Sequence, residues 1–305
     1  MTLTAKLKKV CKKCNATTIK TYEATIKRAY RLVKEDGEMP LNHKWVSAAL
    51  EKIKKQELGK RRHLQIGMVK YLQALDSAPK LLERATKEML ESADAYKKQR
   101  EKQQWSTSEM SKRPAKGLKA LSDAAKEVGV QVRRMMRFEK EANLRTLYQY
   151  QAWLLLQLYA DVPLRNTWAT FELVDKKTNN FIRTGKGKFK LFVRQHKNSK
   201  KTGEAEIELN RRTTMRIRKF LNYRKKVNLK NDSLFVTLKG DPMTRGALSK
   251  FLHRTTKRLL GNGFGSRLIR VLSATENKEH IEKSAELANK MLHSTKQQRT
   301  YVRKD

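Results

Sequence analysis

The segment 147–160, LYQYQAWLLLQLYA, is the most apolar helix-length stretch of the chain. A helix with apolar side chains on nearly every side must be surrounded by other elements. Charged residues make up 33% of the chain and have to stay near its surface, so few other segments can fill a core. The segment therefore predicts a core centred on a buried helix that ends at the turn DVPLRN, residues 161–166.

The first hundred residues have a different pattern, that of amphipathic helices divided by turns. Ile19, Tyr22 and Ile26 are spaced by three and four residues, and Asn15 can cap the helix that contains them. Similar periodicity follows in two more segments, and a fourth helix is predicted to begin at Pro79, since proline suits a first helical turn. The pattern predicts a small helical bundle with Lys and Arg on its outer faces.

The two patterns meet at a basic stretch, YKKQREKQQ, which has no periodic apolar face. Ser106 and Glu109 then form a capping-box pattern that opens a new unit. Since 305 residues suffice for two domains, we predict a helical unit at 1–98, a linker at 99–104 and a second unit at 105–305.

Short strands are predicted in the second unit from Trp168 onwards. They are ATFELV, KFKLFVRQH, EAEIELN and SLFVTLK, at 169–174, 188–196, 204–210 and 233–239. Helices return after them, in 244–261, 266–276 and 280–292. The predicted fold class is mainly α with a small antiparallel β-sheet.

The charge of the chain favours a polyanionic partner. Lys and Arg number 70 against 30 Asp and Glu, which gives a net charge of +40 and a pI of about 10.3. Such a chain repels itself unless it binds a polyanion, and nucleic acid is the first candidate. An anionic membrane is disfavoured because the basic residues run along the whole chain and no stretch of 18 apolar residues occurs. The N-terminus has no apolar signal region, so we expect an intracellular protein that is not secreted.

The cysteines do not predict a metal site. Cys11 and Cys14 supply half the ligands of a zinc site, and His43 and His63 lack the usual spacing to complete it. Two reduced thiols are the expected state.

Several basic residues lie at the ends of apolar elements, in four short boxes: ADVPLRNTW, LFVRQHKNSKKTGEAEIEL, RLIRVLSAT and MLHSTKQQRTYVRK. In this order the boxes resemble those of the tyrosine recombinases, the phage-integrase family of DNA strand-exchange enzymes. The resemblance covers 105–305 and extends to TTIKTYEATIKRAYRL in the first unit, which is similar to the first helix of the family's core-binding domain. It implies a core-binding domain followed by a catalytic domain.

The resemblance also implies roles for individual residues. Arg165 and Arg270 would bind the scissile phosphate, since guanidinium groups donate paired hydrogen bonds and stay charged. Tyr301 would attack the phosphorus and form a 3′-phosphotyrosyl intermediate. Lys197 would protonate the leaving 5′ oxygen, and His293 would align the phosphate. No metal, cofactor or ATP is expected, because the phosphotyrosyl bond conserves the energy of the phosphodiester.

The sequence departs from the family's pattern at two positions. Arg267 occupies the place of the histidine in the HxxR box, where it can still bind phosphate. Trp168 stands where the family often has a glutamate, so other residues must support the first arginine. The turn between the predicted strands 188–196 and 204–210 is called the lysine turn below. In it, Lys197 is the first candidate for the acid because it follows an apolar strand, and Lys201 is the alternate.

The predicted function is a site-specific recombinase or integrase that acts on double-stranded DNA as a homo-tetramer. A type IB topoisomerase uses a similar constellation, and a non-catalytic basic DNA-binding protein fits the composition alone. The lysine-rich body suggests a virus or mobile element, which would place the protein with DNA in the host cytoplasm or nucleus.

Overall fold

The computed structural model of the chain describes residues 2–34, 37–196 and 199–278 and Met291, apart from the side chains of Lys200 and Lys201. The chain forms two compact units, Met1–Lys102 and Gln103–Asp305. The division lies in the stretch predicted as a linker, although the helix before it continues to Glu101. None of the helices in the described ranges is long and apolar enough to cross a bilayer.

The regular elements of the first unit, among the described residues, are helices. The helices are α1 (Leu3–Val10), α2 (Ala16–Tyr30), α3 (Val46–Lys54), α4 (Leu58–Leu75) and α5 (Pro79–Glu101). The predicted cap of α2 is confirmed, since the Asn15 side chain accepts a hydrogen bond from the Thr18 amide at 2.8 Å. Helix α1 was not predicted, because only Leu3 and Leu7 of its lysine-rich sequence enter the core.

Aromatic rings form the centre of the first core. The Trp45 ring lies 5.1 Å from the rings of both Tyr30 and Tyr71. The Tyr71 hydroxyl donates to the carbonyls of Pro40 and Asn42, at 2.8 and 3.1 Å. These bonds hold Pro40 and Asn42, which precede α3, against α4.

Gly67 allows α4 to pack closely against α2. A Cβ atom at this position would lie 2.7 Å from the Thr25 methyl group and 3.2 Å from its Cβ. Thr25 is 4% exposed, and a β-branched side chain on a helix has little rotameric freedom. The close approach of the two helices therefore depends on the missing side chain.

We expect Gly67→Ala to lower the free energy of unfolding by about 1–2 kcal/mol, although alanine favours a helix by about 1 kcal/mol over glycine. The overpacking against Thr25 outweighs that gain because neither helix can withdraw without exposing its core. Denaturant unfolding measures the difference. In a Thr25→Ser background, which removes the obstructing methyl group, the same change should be neutral or stabilising; an equal loss in both backgrounds would contradict the explanation.

The second unit is built around a helix that matches the apolar segment of the sequence. Its helices are α6 (Thr107–Met110), α7 (Lys119–Phe138), α8 (Leu144–Asp161), α9 (Ser199–Thr202), α10 (Arg211–Lys226), α11 (Arg245–Leu260) and α12 (Ser266–Glu276). A 3₁₀ helix, Asn166–Thr170, follows α8. The capping box predicted at Ser106 and Glu109 begins α6.

Helix α8 is the centre of the second core, as predicted. Leu154, Leu155 and Leu158 are fully buried, and α7, α10, α11 and α12 all pack against the helix. The side chain of Gln151, also on α8, donates to the carbonyl of Val236 at 2.9 Å and accepts from its amide at 2.7 Å. Val236 belongs to the segment 233–239, which was predicted as a strand. In the structure this segment bonds to the Gln151 side chain and makes only isolated β-bridges.

The fold class is confirmed as mainly α with a small sheet, but the sheet is mixed and not purely antiparallel. Its strands lie in chain order: β1 (Phe171–Glu172), β2 (Asn180–Arg183), β3 (Lys190–Val193) and β4 (Ala205–Glu208). The pairs β2–β3 and β3–β4 are antiparallel, whereas β1 runs parallel to β2. Since β1 has only two residues, the loop 173–179 is long enough to return the chain to the start of β1, so that β2 can run in the same direction.

Candidate active site

Arg165 lies in a tight turn between α8 and the 3₁₀ helix. The indole Nε1 of Trp168 donates to the Val162 carbonyl at 3.2 Å, which closes the turn around Arg165. The Tyr159 hydroxyl donates to the carbonyl of Arg165 itself at 3.1 Å. Trp168 and Tyr159 are both fully buried. The backbone of the turn that carries Arg165 is thus held by the buried side chains of a tryptophan and a tyrosine.

Arg270 lies beside the same turn, although it is more than a hundred residues away in sequence. It is 6% exposed, and its Nη1 donates to the Ser266 hydroxyl at 3.4 Å. Ser266 in turn donates to the Asn166 side-chain oxygen at 3.0 Å. The start of α12 and the residue after Arg165 are therefore joined by a hydrogen-bonded chain.

The electrostatics of Tyr159 reflect the same arrangement. Burial raises the pKa of the Tyr159 phenol well above its ordinary value, while the charge of Arg270 and a hydrogen bond with Ser266 oppose that shift. The phenol therefore stays neutral and donates to the Arg165 carbonyl. The hydrogen bonds from Arg270 to Ser266 and from Ser266 to Asn166 agree with this, so Arg270 lies beside the turn that carries Arg165.

The third predicted arginine, Arg267, is not part of this network. Its side chain is 60% exposed and forms an ion pair with Glu109 at 3.3 Å. Three residues rotate an α-helix by about 300°, so side chains at 267 and 270 diverge by about 60°. Arg267 therefore points towards α6 at the surface, whereas Arg270 points into the core.

The strand before the lysine turn is anchored to the same 3₁₀ helix. The buried side chain of Asn180 donates to the Thr170 hydroxyl at 2.6 Å and to the Gln195 carbonyl at 3.1 Å. It also accepts from the Gln195 amide at 2.6 Å. Thr170 is the last residue of the helix that begins after Arg165. Gln195 precedes Lys197 by two residues, so the base of the lysine turn is fixed relative to the first arginine.

Further contacts close the base of the lysine turn. Arg194 forms ion pairs with Glu204 at 2.9 Å and with Asp175. The His196 ring Nε2 lies 3.1 Å from the Gly203 carbonyl. Residues 194–196 are thereby tied to 203–204 across the turn. The hydrogen bond from Arg194, with smaller contributions from the Lys177 amide and the charge of Arg194, lowers the pKa of Asp175, so this pair remains ionised at neutral pH.

Three of the predicted site residues, Lys197, His293 and Tyr301, lie outside the residues that the structure describes. The alternate acid, Lys201, lies in α9, and its side chain is also outside them. Within the described ranges, no group of three or more His, Cys, Asp or Glu side chains could hold a metal ion. Cys11 and Cys14 are free thiols, and the first of them is buried.

Sequence reasoning did not identify the residues that support the two arginines. Ser266 precedes Arg270 by four residues on a helix, a spacing at which side chains meet. Asn166 directly follows Arg165. Asn180 is a polar residue at the start of an apolar strand, NFIR. A buried amide at such a position is expected to be hydrogen-bonded. The first two could have been proposed from spacing, but the partners of Asn180 depend on the register of the sheet.

Two solved structures of XerH, a site-specific recombinase, are similar to the chain. The pre-cleavage complex with its difH substrate has a TM-score of 0.58 and 15% sequence identity, over 99% of this chain and 81% of that one. The post-cleavage complex with a palindromic difH substrate has a TM-score of 0.54 and 15% identity, over 98% and 80%. A XerA recombinase structure has a TM-score of 0.42 at 12% identity, over 99% and 93%. Neither a protein-family model nor a curated protein matches the chain.

The chain therefore has the tyrosine recombinase fold. The likeness extends over nearly the whole chain and includes both units. At this sequence identity it establishes the fold, and what the site does has to be argued from its own residues.

Proposed function

We propose that this protein is a site-specific recombinase that cleaves and rejoins DNA strands through a 3′-phosphotyrosyl intermediate. The observation that carries the proposal is the joint anchoring of the Arg165 turn, Arg270 and the base of the lysine turn on one 3₁₀ helix. The turn of Arg165, the buried Arg270 and the strand that leads to Lys197 are far apart in sequence and meet there, which supports a site for phosphoryl transfer. The two XerH structures, complexes with a DNA substrate before and after cleavage, have the same fold and support this function.

The chemistry follows from the residue types. In the proposed reaction the Tyr301 phenol releases its proton to solvent, and its oxygen bonds to phosphorus as the bond from phosphorus to the 5′ oxygen breaks. Arg165 and Arg270 stabilise the negative charge that develops on the non-bridging oxygens, and a fixed guanidinium does this without reorganising. Lys197 gives its proton to the departing 5′ oxygen, and His293 holds the phosphate in line. Rejoining reverses these steps, so one phosphodiester is restored for each one cleaved and neither ATP nor a metal is required.

A net charge of +40 suits a protein that surrounds duplex DNA and binds it mainly through phosphates. We propose that four copies assemble on two DNA sites, where strands from different duplexes can be exchanged. A type IB topoisomerase would use the same residues but would relax supercoiled DNA as a single copy.

A trapping experiment tests the proposal without knowledge of the target site. The wild-type protein is incubated with a pool of duplexes that are randomised on both sides of a nick in one strand. Cleavage near the nick releases a fragment too short to stay paired, so rejoining fails and a covalent adduct accumulates. We expect an adduct that survives denaturing electrophoresis, and sequencing its DNA gives the target site.

Two other results would favour the alternative functions. Enrichment of bound duplexes with no adduct would identify a non-catalytic DNA-binding protein. An adduct together with relaxation of a supercoiled plasmid that carries no recovered site would identify a topoisomerase. Joining of two plasmids that both carry the recovered site is expected only of a recombinase.

A further inference from the structure

Asn180 is a buried side chain whose hydrogen bonds extend a β-ladder. The antiparallel pairing of β2 with β3 ends at Phe181 and Phe192 on this side of the hairpin. Beyond that point the Asn180 amide replaces a backbone partner, since it accepts from the Gln195 N–H at 2.6 Å and donates to the Gln195 carbonyl at 3.1 Å. Asn180 is only 1% exposed.

Burial makes this contact different from the others at the base of the lysine turn. Arg194 and Glu204 are joined by an ion pair in which the glutamate is 43% exposed, and such pairs contribute little to rigidity in water. Because Asn180 is buried, its side-chain oxygen and nitrogen depend on these hydrogen bonds, although Gln195 itself is exposed. Asn180 therefore holds the backbone of Gln195 from the buried side, while Arg245 donates to the same carbonyl at 2.9 Å from the exposed side.

The same amide also contacts the arginine side of the site. Its Nδ2 donates to the Thr170 hydroxyl at 2.6 Å, and Thr170 in turn donates to the Thr167 carbonyl at 2.8 Å within the 3₁₀ helix. That helix begins directly after Arg165. One side chain thus links the turn that carries the first arginine to the strand that leads to Lys197.

We propose that Asn180 is a positioning residue that places the proton donor of the lysine turn relative to the scissile phosphate. The inference rests on the proposed function and adds a residue to it. General acids contribute about 10²- to 10⁴-fold, and a displacement of about 1 Å can remove about 10²-fold. The loss of Asn180 should therefore slow the step that protonates the leaving oxygen and leave phosphate binding by the arginines less affected.

The test compares two substrates built on the recovered target site, one with the ordinary 5′ bridging oxygen and one with sulfur in its place. A thiol has a pKa near 8.5, far below that of an alcohol, so a sulfur leaving group departs without a proton. We expect Asn180→Ala to cleave the ordinary DNA about 10- to 100-fold more slowly than the wild type. Its rate on the sulfur-containing DNA should stay within about threefold of the wild type, and Lys197→Ala should show the same pattern.

Asn179→Ala is the matched control, because Asn179 precedes Asn180 in the chain but its side chain bonds to Lys176 and Val174 of the loop and to Glu172 of β1. It should cleave both substrates at the wild-type rate. Asn180→Asp is nearly isosteric and serves as a second variant in case Asn180→Ala misfolds. It keeps the acceptor for the Gln195 amide and loses both donated bonds. We therefore expect it too to cleave the ordinary DNA slowly and the sulfur-containing DNA at nearly the wild-type rate. Circular dichroism and DNA affinity establish that each variant is folded.

Equal losses on both substrates in Asn180→Ala and Asn180→Asp would show a general structural role and overturn the inference. Unchanged cleavage of the ordinary DNA by both variants would do the same. If the wild type forms no adduct with either substrate, the proposed function fails instead, so the two failures are distinguishable.

Discussion

The Tyr301→Phe variant is expected to bind the recovered target site as tightly as the wild type and to form no covalent adduct with it. The change removes one oxygen atom, which is the proposed nucleophile, and leaves the charge of the protein unchanged. Binding depends mainly on contacts between basic side chains and phosphates, so its affinity and salt dependence should be preserved. The loss of adduct should be complete within the sensitivity of the electrophoresis, since phenylalanine has no atom that can attack phosphorus.

Tyr148→Phe is the matched control for this prediction. Tyr148 lies in the second unit, where its ring is 4.7 Å from that of Phe251, and burial raises the pKa of its phenol. Its hydroxyl has no proposed part in the chemistry, so the adduct should form at the wild-type level. An adduct in Tyr301→Phe would show that another residue attacks the phosphorus, and peptide mapping of the adduct would identify it.

The helices of the chain were largely predictable because their apolar residues repeat with the helical period. The segment 266–276 was predicted as a helix and forms α12 with the same bounds. The helix predicted around 147–160 forms α8, with its partners on all sides. Helix α1 escaped prediction because two buried leucines in a lysine-rich sequence give too weak a period. Periodicity is informative only where a large fraction of one face is buried.

The sheet was predicted less well, for a different physical reason. Alternation of apolar and polar residues indicates a strand but carries no information about the direction of its neighbour. The parallel pairing of β1 and the isolated bridges of 233–239 follow from tertiary contacts, such as the two hydrogen bonds between Gln151 and Val236. The fold class could be predicted from local pattern, while the topology could not.

For the candidate site, the order of the four sequence boxes predicted which residues take part. The structure shows which other residues hold two of them, the arginines. Arg165 and Arg270 are held at one location by Tyr159, Asn166 and Ser266, which no box contained as functional residues. The outward direction of Arg267 could be expected from the helical rotation between 267 and 270, but only the position of Glu109 shows which arginine is buried. The roles of Lys197, His293 and Tyr301 stay predictions.

The different settings of the two arginines on α12 lead to the last prediction. Arg270 is 6% exposed and held by a serine, whereas Arg267 is 60% exposed and its charge is partly balanced by Glu109. A donor contributes to a transition state when it is fixed in advance and shielded from water, because the developing charge then meets an oriented group. By this argument the buried arginine should have the larger effect on cleavage.

We therefore expect Arg270→Lys to reduce the rate of adduct formation on the target site by about 10²- to 10³-fold, since lysine keeps the charge but cannot present two parallel donors. Arg267→Lys, the matched change one turn earlier on the same helix, should reduce it by less than about tenfold, because an exposed charge is screened by water and salt. Single-turnover cleavage at saturating protein measures both rates free of binding effects. Equal losses, or a larger loss at 267, would mean that DNA binding reorganises α12 so that Arg267 reaches the phosphate. The proposal that the buried guanidinium of Arg270 stabilises the developing charge would then be wrong.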